Sequence, residues 1–178
     1  VPITLTSFLI PFAEHLKAQG ALVDCASMGA STYGGLETFN NRFDISWDRS
    51  LSSMLRYSAC RKQLETILDE GKYDIVHVHT PIAAFMTRKV CVQWKARHAS
   101  KKPAVIYTVH GFHFFEGQTS RLSHTLFHTL EKRALSWTDA LVVMNNEDEI
   151  AAHKLQPPSP STHIERIDGI GFDFARYE

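Results

Sequence analysis

Asp74-Ile75-Val76-His77-Val78-His79-Thr80-Pro81 reads as a strand that runs directly into the start of a helix. Its dense β-branched run suits burial on both faces, as in a parallel sheet. Thr80 is expected as the N-cap and Pro81 as the first helical residue, where a missing N–H costs nothing. A second stretch of the same kind, Val105-Ile106-Tyr107-Thr108-Val109-His110-Gly111, also closes on histidine. Between the two, Ile82, Phe85, Met86, Val90 and Trp94 form the apolar stripe of a helix. Apolar strand, amphipathic helix, apolar strand is the repeating unit of a parallel α/β sheet.

The same alternation extends in both directions. Toward the N-terminus a helix is predicted over Ser7–Gln19, with Pro11 in its tolerant first turn and Gly20 as its stop, followed by a strand over Ala21–Ser27. Met28–Asp48 has no clear period and reads as loop with room for one short strand. A long helix then spans Ser50–Glu70, with Gly71 placed to cap it. Toward the C-terminus the expected elements are a strand over Ala104–His110, an aromatic loop over Phe112–Ser120 and a helix over Ser120–Trp137. A strand over Ala140–Met144 follows. Asn146 with Glu149 three residues on resembles a capping box for a helix to Leu155. Pro157-Pro158-Ser159-Pro160 is a stiff turn, and His163–Asp168 is the last strand.

These elements predict an α/β fold with three layers, a Rossmann-like parallel sheet with helices on both faces. Such sheets open on a strand whose glycine-bearing turn approaches a ligand. This sequence opens on a helix, so the first, central strand is expected to be missing.

Bulk composition agrees with one globular domain over residues 1–178: 44% hydrophobic and 21% charged residues, and no apolar run long enough to cross a bilayer. Val1–Ser7 has neither a basic n-region nor an initiator Met, so it reads as neither a signal peptide nor a natural start. Cys25, Cys60 and Cys91 lie far apart in apolar surroundings and read as buried free thiols of a reducing compartment, not as a zinc site. Net charge is zero, but Pro81–Arg133 carries nine Lys/Arg against two acids. That stretch, including Arg88, Lys95, Arg97, Lys102 and Arg133, is either a solvated helical face or a surface for anionic membrane or phosphate.

Ligands of parallel doubly wound sheets sit beyond the carboxyl ends of the strands. Three strands end there in polar groups: His79-Thr80, His110-Gly111 and Asn145-Asn146. His77 and His79 are two apart and share a face; His77, in mid-strand, reads as a hydrogen-bonded core residue. His79 and His110 are placed to hydrogen-bond sugar hydroxyls, assist proton transfer or neutralise phosphate, and Gly111 lets the backbone approach a ligand. Seven of the ten histidines fall between residues 77 and 128. Even so, the absence of a paired-histidine helix motif and the scarcity of nearby acids argue against a catalytic metal. Neither a serine-nucleophile elbow nor a GxxxxGK phosphate loop occurs.

The run Tyr73–Pro81, with Tyr107-Thr108-Val109-His110-Gly111-Phe112-His113-Phe114-Phe115, resembles the N-terminal domain of glycosyltransferase family four, in the branch that builds capsular and exopolysaccharide units. Glu131–Leu135, Thr138–Asn145, Phe8–Ser27 and Ile167–Asp173 are similar to further segments of that domain. The resemblance implies a GT-B enzyme with two Rossmann-like domains facing a cleft. It would transfer a sugar with retention and without a metal or other cofactor. The N-terminal half holds the acceptor, and a C-terminal nucleotide-sugar domain, absent from this sequence, holds the donor. On that reading His110 is the catalytic-site residue, with His79, Thr80, Gly111, Phe112 and Asn145 binding substrate. The partners are a nucleotide-sugar donor and a lipid-linked saccharide acceptor, with no nucleic acid. The place is the cytoplasm, with peripheral contact at the inner membrane face. Phe112, Phe114 and Phe115 either pack beneath their loop or meet the lipid of the acceptor. Two other readings stay open: half of a sugar-nucleotide epimerase, and a non-catalytic Rossmann-like binding module.

Overall fold

A computed structural model describes residues 5–46, 57–112, 121–155 and 162–169. Parts of the expected elements lie outside them: the start of the second helix (50–56), the loop residues 113–120, the proline turn and Ile170–Asp173. The chain falls into two compact units, Val1–Leu64 and Glu65–Glu178. The strands form two parallel sheets, one within each unit.

In the first unit, α1 (Ile10–Ala18) follows a π-helical turn over Leu5–Leu9. The sequence predicts regular helix from Ser7, and Pro11 explains the difference: without an N–H it cannot close an α-helical bond back to Ser7. Strand β1 (Cys25–Ser27) pairs in parallel with β2 (Arg42–Asp44), with Cys25 opposite Arg42. β1 is shorter than the predicted Ala21–Ser27. The Asn40 side chain accepts the Val23 N–H at 3.0 Å, where a neighbouring strand would offer its main chain, and Leu22 is 84% exposed. Ala13, Cys25, Ala30, Leu36 and Phe39 form this unit's core.

Helix α2 (Tyr57–Gly71) leads to the second sheet. Gly71 is its last residue, and the left-handed position expected of it falls on Lys72, at φ 47°. A Cβ on Gly71 would meet the Tyr73 ring at 2.2 Å, so a larger residue there would displace that ring. Strands β3 (Ile75–His79), β4 (Ala104–Thr108), β5 (Ala140–Val143) and β6 (His163–Arg166) then pair in simple succession, all parallel. The connecting helices are α3 (Pro81–Arg97), α4 (Arg121–Leu135) and α5 (Asn146–Leu155). Right-handed crossovers stepping in one direction place all three on one face of the sheet.

Alternation along the strands gives the two faces different work. Val78, Tyr107, Val109, Leu141 and Val143 belong to the core with Ala84, Leu135, Ala152 and Leu155. His77, His79, Ile106, Thr108 and His110 have the opposite parity and point to the other face.

Arg88 corrects the reading of the basic stretch. It is fully buried, its Nη2 donating to Glu131 Oε2 at 2.8 Å and its Nε to the Ala84 carbonyl at 3.1 Å. Its guanidinium also lies 4.2 Å from the centre of the Tyr107 ring. A helix enclosed between a sheet and a second helix has no solvated side at this position. Lys95 pairs with Asp139, Arg97 with Glu65 and Lys102 with Asp74. Four of the nine cations in the stretch therefore pair with acids distant in sequence.

Candidate functional site

Register places the histidines. Pairing of His79 with Thr108 aligns the carboxyl ends of β3 and β4, and His110 follows β4 by two residues on the same face. Three imidazoles consequently form a row. The His77 and His79 rings lie 4.4 Å apart, and those of His79 and His110 5.4 Å apart. His77 Nε2 is hydrogen-bonded to the Thr108 hydroxyl at 2.7 Å. His79 Nδ1 and His110 Nε2 are hydrogen-bonded across 3.2 Å. His77 thus has the anchored, partly buried place expected of it, while His110 is the exposed end of the row.

Burial governs the charge of these rings. It is the main cause that drives His77 down to about 4, helped by the neighbouring His110. His79 is pushed down to about 3, again first by burial and then by His77 and His110. Burial also lowers His110 from the ordinary histidine range. All three are neutral near pH 7, each with one ring N–H to donate and one lone pair to accept. Such a row suits hydroxyl-rich, uncharged groups, and it offers phosphate hydrogen bonds but no positive charge. Among the described residues, no three His, Cys, Asp or Glu side chains are placed to hold a metal ion.

The backbone around the row is unusual at two points. Thr80 occupies the position before α3, but its side chain makes no capping bond and its φ is 65°. The expected N-cap function is therefore not performed. A β-branched residue in that region is strained, and strain of this kind concentrates at functional sites. Gly111 has φ 106°, which L side chains rarely adopt, with nothing within 4 Å of a Cβ built there. Glycine is required here by the turn, not by crowding.

Phe112 and Asn145 were expected near a substrate, and their contacts are internal. The Phe112 ring is 4% exposed and lies in the core, which favours the packing alternative for this member of the loop. Asn145 Oδ1 accepts the Asp148 N–H at 2.7 Å, and Asn145 Nδ2 donates to Asp148 Oδ2 at 2.7 Å. The cap of α5 is therefore Asn145 with Asp148, one residue before the predicted Asn146 and Glu149. Asp148 is fully buried and its Oδ1 accepts the Phe112 N–H at 3.0 Å. Sequence reading missed Asp148, although the Asn-x-x-Asp spacing that signals it is present.

Parallel strands linked by crossover helices, with polar groups gathered where adjacent strands end, define a Rossmann-like ligand-binding domain. The family described as "Glycosyl transferase 4-like" matches residues 4–146, and this chain belongs to that family. The chain is 34% identical over 171 residues to a Bacillus subtilis (strain 168) protein named "Putative glycosyltransferase EpsD", covering 96% of this chain and 42% of the relative. It is also 33% identical over 86 residues to the Escherichia coli UDP-Gal:alpha-D-GlcNAc-diphosphoundecaprenol alpha-1,3-galactosyltransferase, covering 48% of this chain and 20% of that enzyme. The chain thus spans less than half the length of either relative.

Proposed function

We propose that residues 1–178 form the single acceptor-side domain of a retaining GT-B glycosyltransferase, which passes a hexosyl group from a nucleotide sugar to a lipid-linked saccharide in capsule or exopolysaccharide synthesis. The observation that carries this reading is the exposed, neutral His110, joined to His79 at the strand ends of a glycosyl transferase 4-like domain. A neutral imidazole there can donate to one sugar hydroxyl or accept from another while the glycosidic bond forms. Thr80 and Gly111 adjoin His79 and His110 in the chain, and Phe112 and Asn145 are both tied to Asp148. The donor binds to a second domain across the cleft.

The name of the Escherichia coli relative, with its diphosphoundecaprenol acceptor, supports a lipid-linked acceptor here. No described helix is long and apolar enough to cross a membrane. In this reading the enzyme works in the cytoplasm and meets the inner membrane face through the carrier lipid.

The test is a transfer assay with the complete gene product, labelled UDP- and GDP-sugars and polyprenyl-pyrophosphate-linked saccharides. Label should move into the lipid phase with one donor. Altered nucleotide sugar in the aqueous phase, without transfer, would point to an epimerase. Inertness toward every donor would leave a binding module.

A further inference from the structure

We propose that Asp148 is a positioning residue for His110, acting through the main chain of the loop that carries it. The inference rests on the site reading above and assigns a function to a buried carboxylate that the chemistry itself does not use.

His110 stands two residues beyond the last ladder pair of β4, so sheet pairing alone does not fix its ring. The peptide after it turns through Gly111 at φ 106°, where glycine's freedom would let the loop wander. Phe112 ends that freedom twice over. Its ring is buried in the core, and its N–H donates to Asp148 Oδ1 at 3.0 Å. The acceptor is equally constrained. Asp148 sits in the first turn of α5, where the helix dipole favours negative charge. Its second oxygen is held by Asn145 Nδ2 at 2.7 Å, and its own N–H is held by Asn145 Oδ1 at 2.7 Å. One hydrogen bond thus joins the loop after β4 to the start of α5, and two more hold its acceptor in place, with His110 two residues from the join. A side chain whose only task was to cap α5 would have no need to reach Phe112.

The polarity of the three bonds supplies the experiment. Asp148→Asn sets one N–H donor against another whichever way its amide faces, because Phe112 N and Asn145 Nδ2 both donate. Asn145→Asp combined with Asp148→Asn restores every bond. The new carboxylate at position 145 accepts from the main-chain N–H of position 148 and from the new amide, whose oxygen accepts from Phe112.

In the complete gene product, with sugar transfer as the readout, Asp148→Asn should lower kcat on the order of 10–100-fold with little change in the donor KM. The exchanged pair should recover most of that loss. In a His110→Ala background, Asp148→Asn should change kcat by less than about twofold, since a residue acting through His110 has nothing further to lose. An Asp148→Asn loss that multiplies onto that of His110→Ala would overturn the proposal. So would an exchanged pair that folds but stays inactive, and this second result decides the matter even if Asp148→Asn alone does not fold. Full activity of His110→Ala is a different failure, which removes the site reading itself.

Discussion

His77 and His79 are held neutral by burial, so acid should act on the fold before it acts on any substrate. A ring whose folded pKa is depressed takes its proton more readily in the unfolded chain, and stability is lost as pH falls below about 6.5. The loss continues until the folded values, about 4 for His77 and about 3 for His79, are reached. For His77 it amounts to about 2 kcal/mol by pH 5. Urea unfolding at pH 7 and pH 5 should show His77→Asn, which can still bond Thr108 but does not titrate, losing less stability than wild type by about that amount. Equal losses would mean that His77 is not the depressed group. Gly111→Ala should cost roughly 1–2 kcal/mol from backbone strain alone, because the space for a Cβ is open. Gly34→Ala, equally uncrowded and without a positive φ, should be neutral or slightly stabilising. A matching loss at both positions in thermal melts would refute the conformational argument. The histidines themselves were legible from the sequence, because strand parity places His77 and His79 on one face. The hydrogen bond between His79 and His110 was not legible, since it depends on the register between strands distant in sequence.

At the scale of elements, α3 and α4 are tied by a buried charge pair. Arg88 is fully buried and the Glu131 side chain is 7% exposed, so removing either partner leaves a charge with no compensation. Arg88→Met or Glu131→Leu alone should cost about 3–5 kcal/mol, whereas the two together should lie close to wild type. Chemical denaturation of the three variants tests this, and additive losses would contradict it. Element existence followed from periodicity, and all five predicted strands and five predicted helices have counterparts in the fold. Boundaries depended on details that periodicity does not carry: the donor that Pro11 lacks, the Asn40 side chain that stands in for a strand at Val23, and the choice between two adjacent asparagines at the head of α5. Arg88 shows the same limit. A cation in a basic stretch looks solvated until the facing helix supplies an acid forty-three residues away.

For the molecule as a whole, family membership and a Rossmann-like second unit agree with the reading of the two histidine-ended strands. The first unit keeps its own small sheet. The proposed function rests on a neutral histidine held beyond the carboxyl end of β4 by a neighbouring imidazole and a turn anchored in the core. The most direct measurement is therefore kcat for sugar transfer by the complete gene product, wild type against His110→Ala, with circular dichroism to show that the variant is folded. A loss on the order of a hundredfold or more in a folded variant is the predicted result. Wild-type transfer by folded His110→Ala would contradict the account.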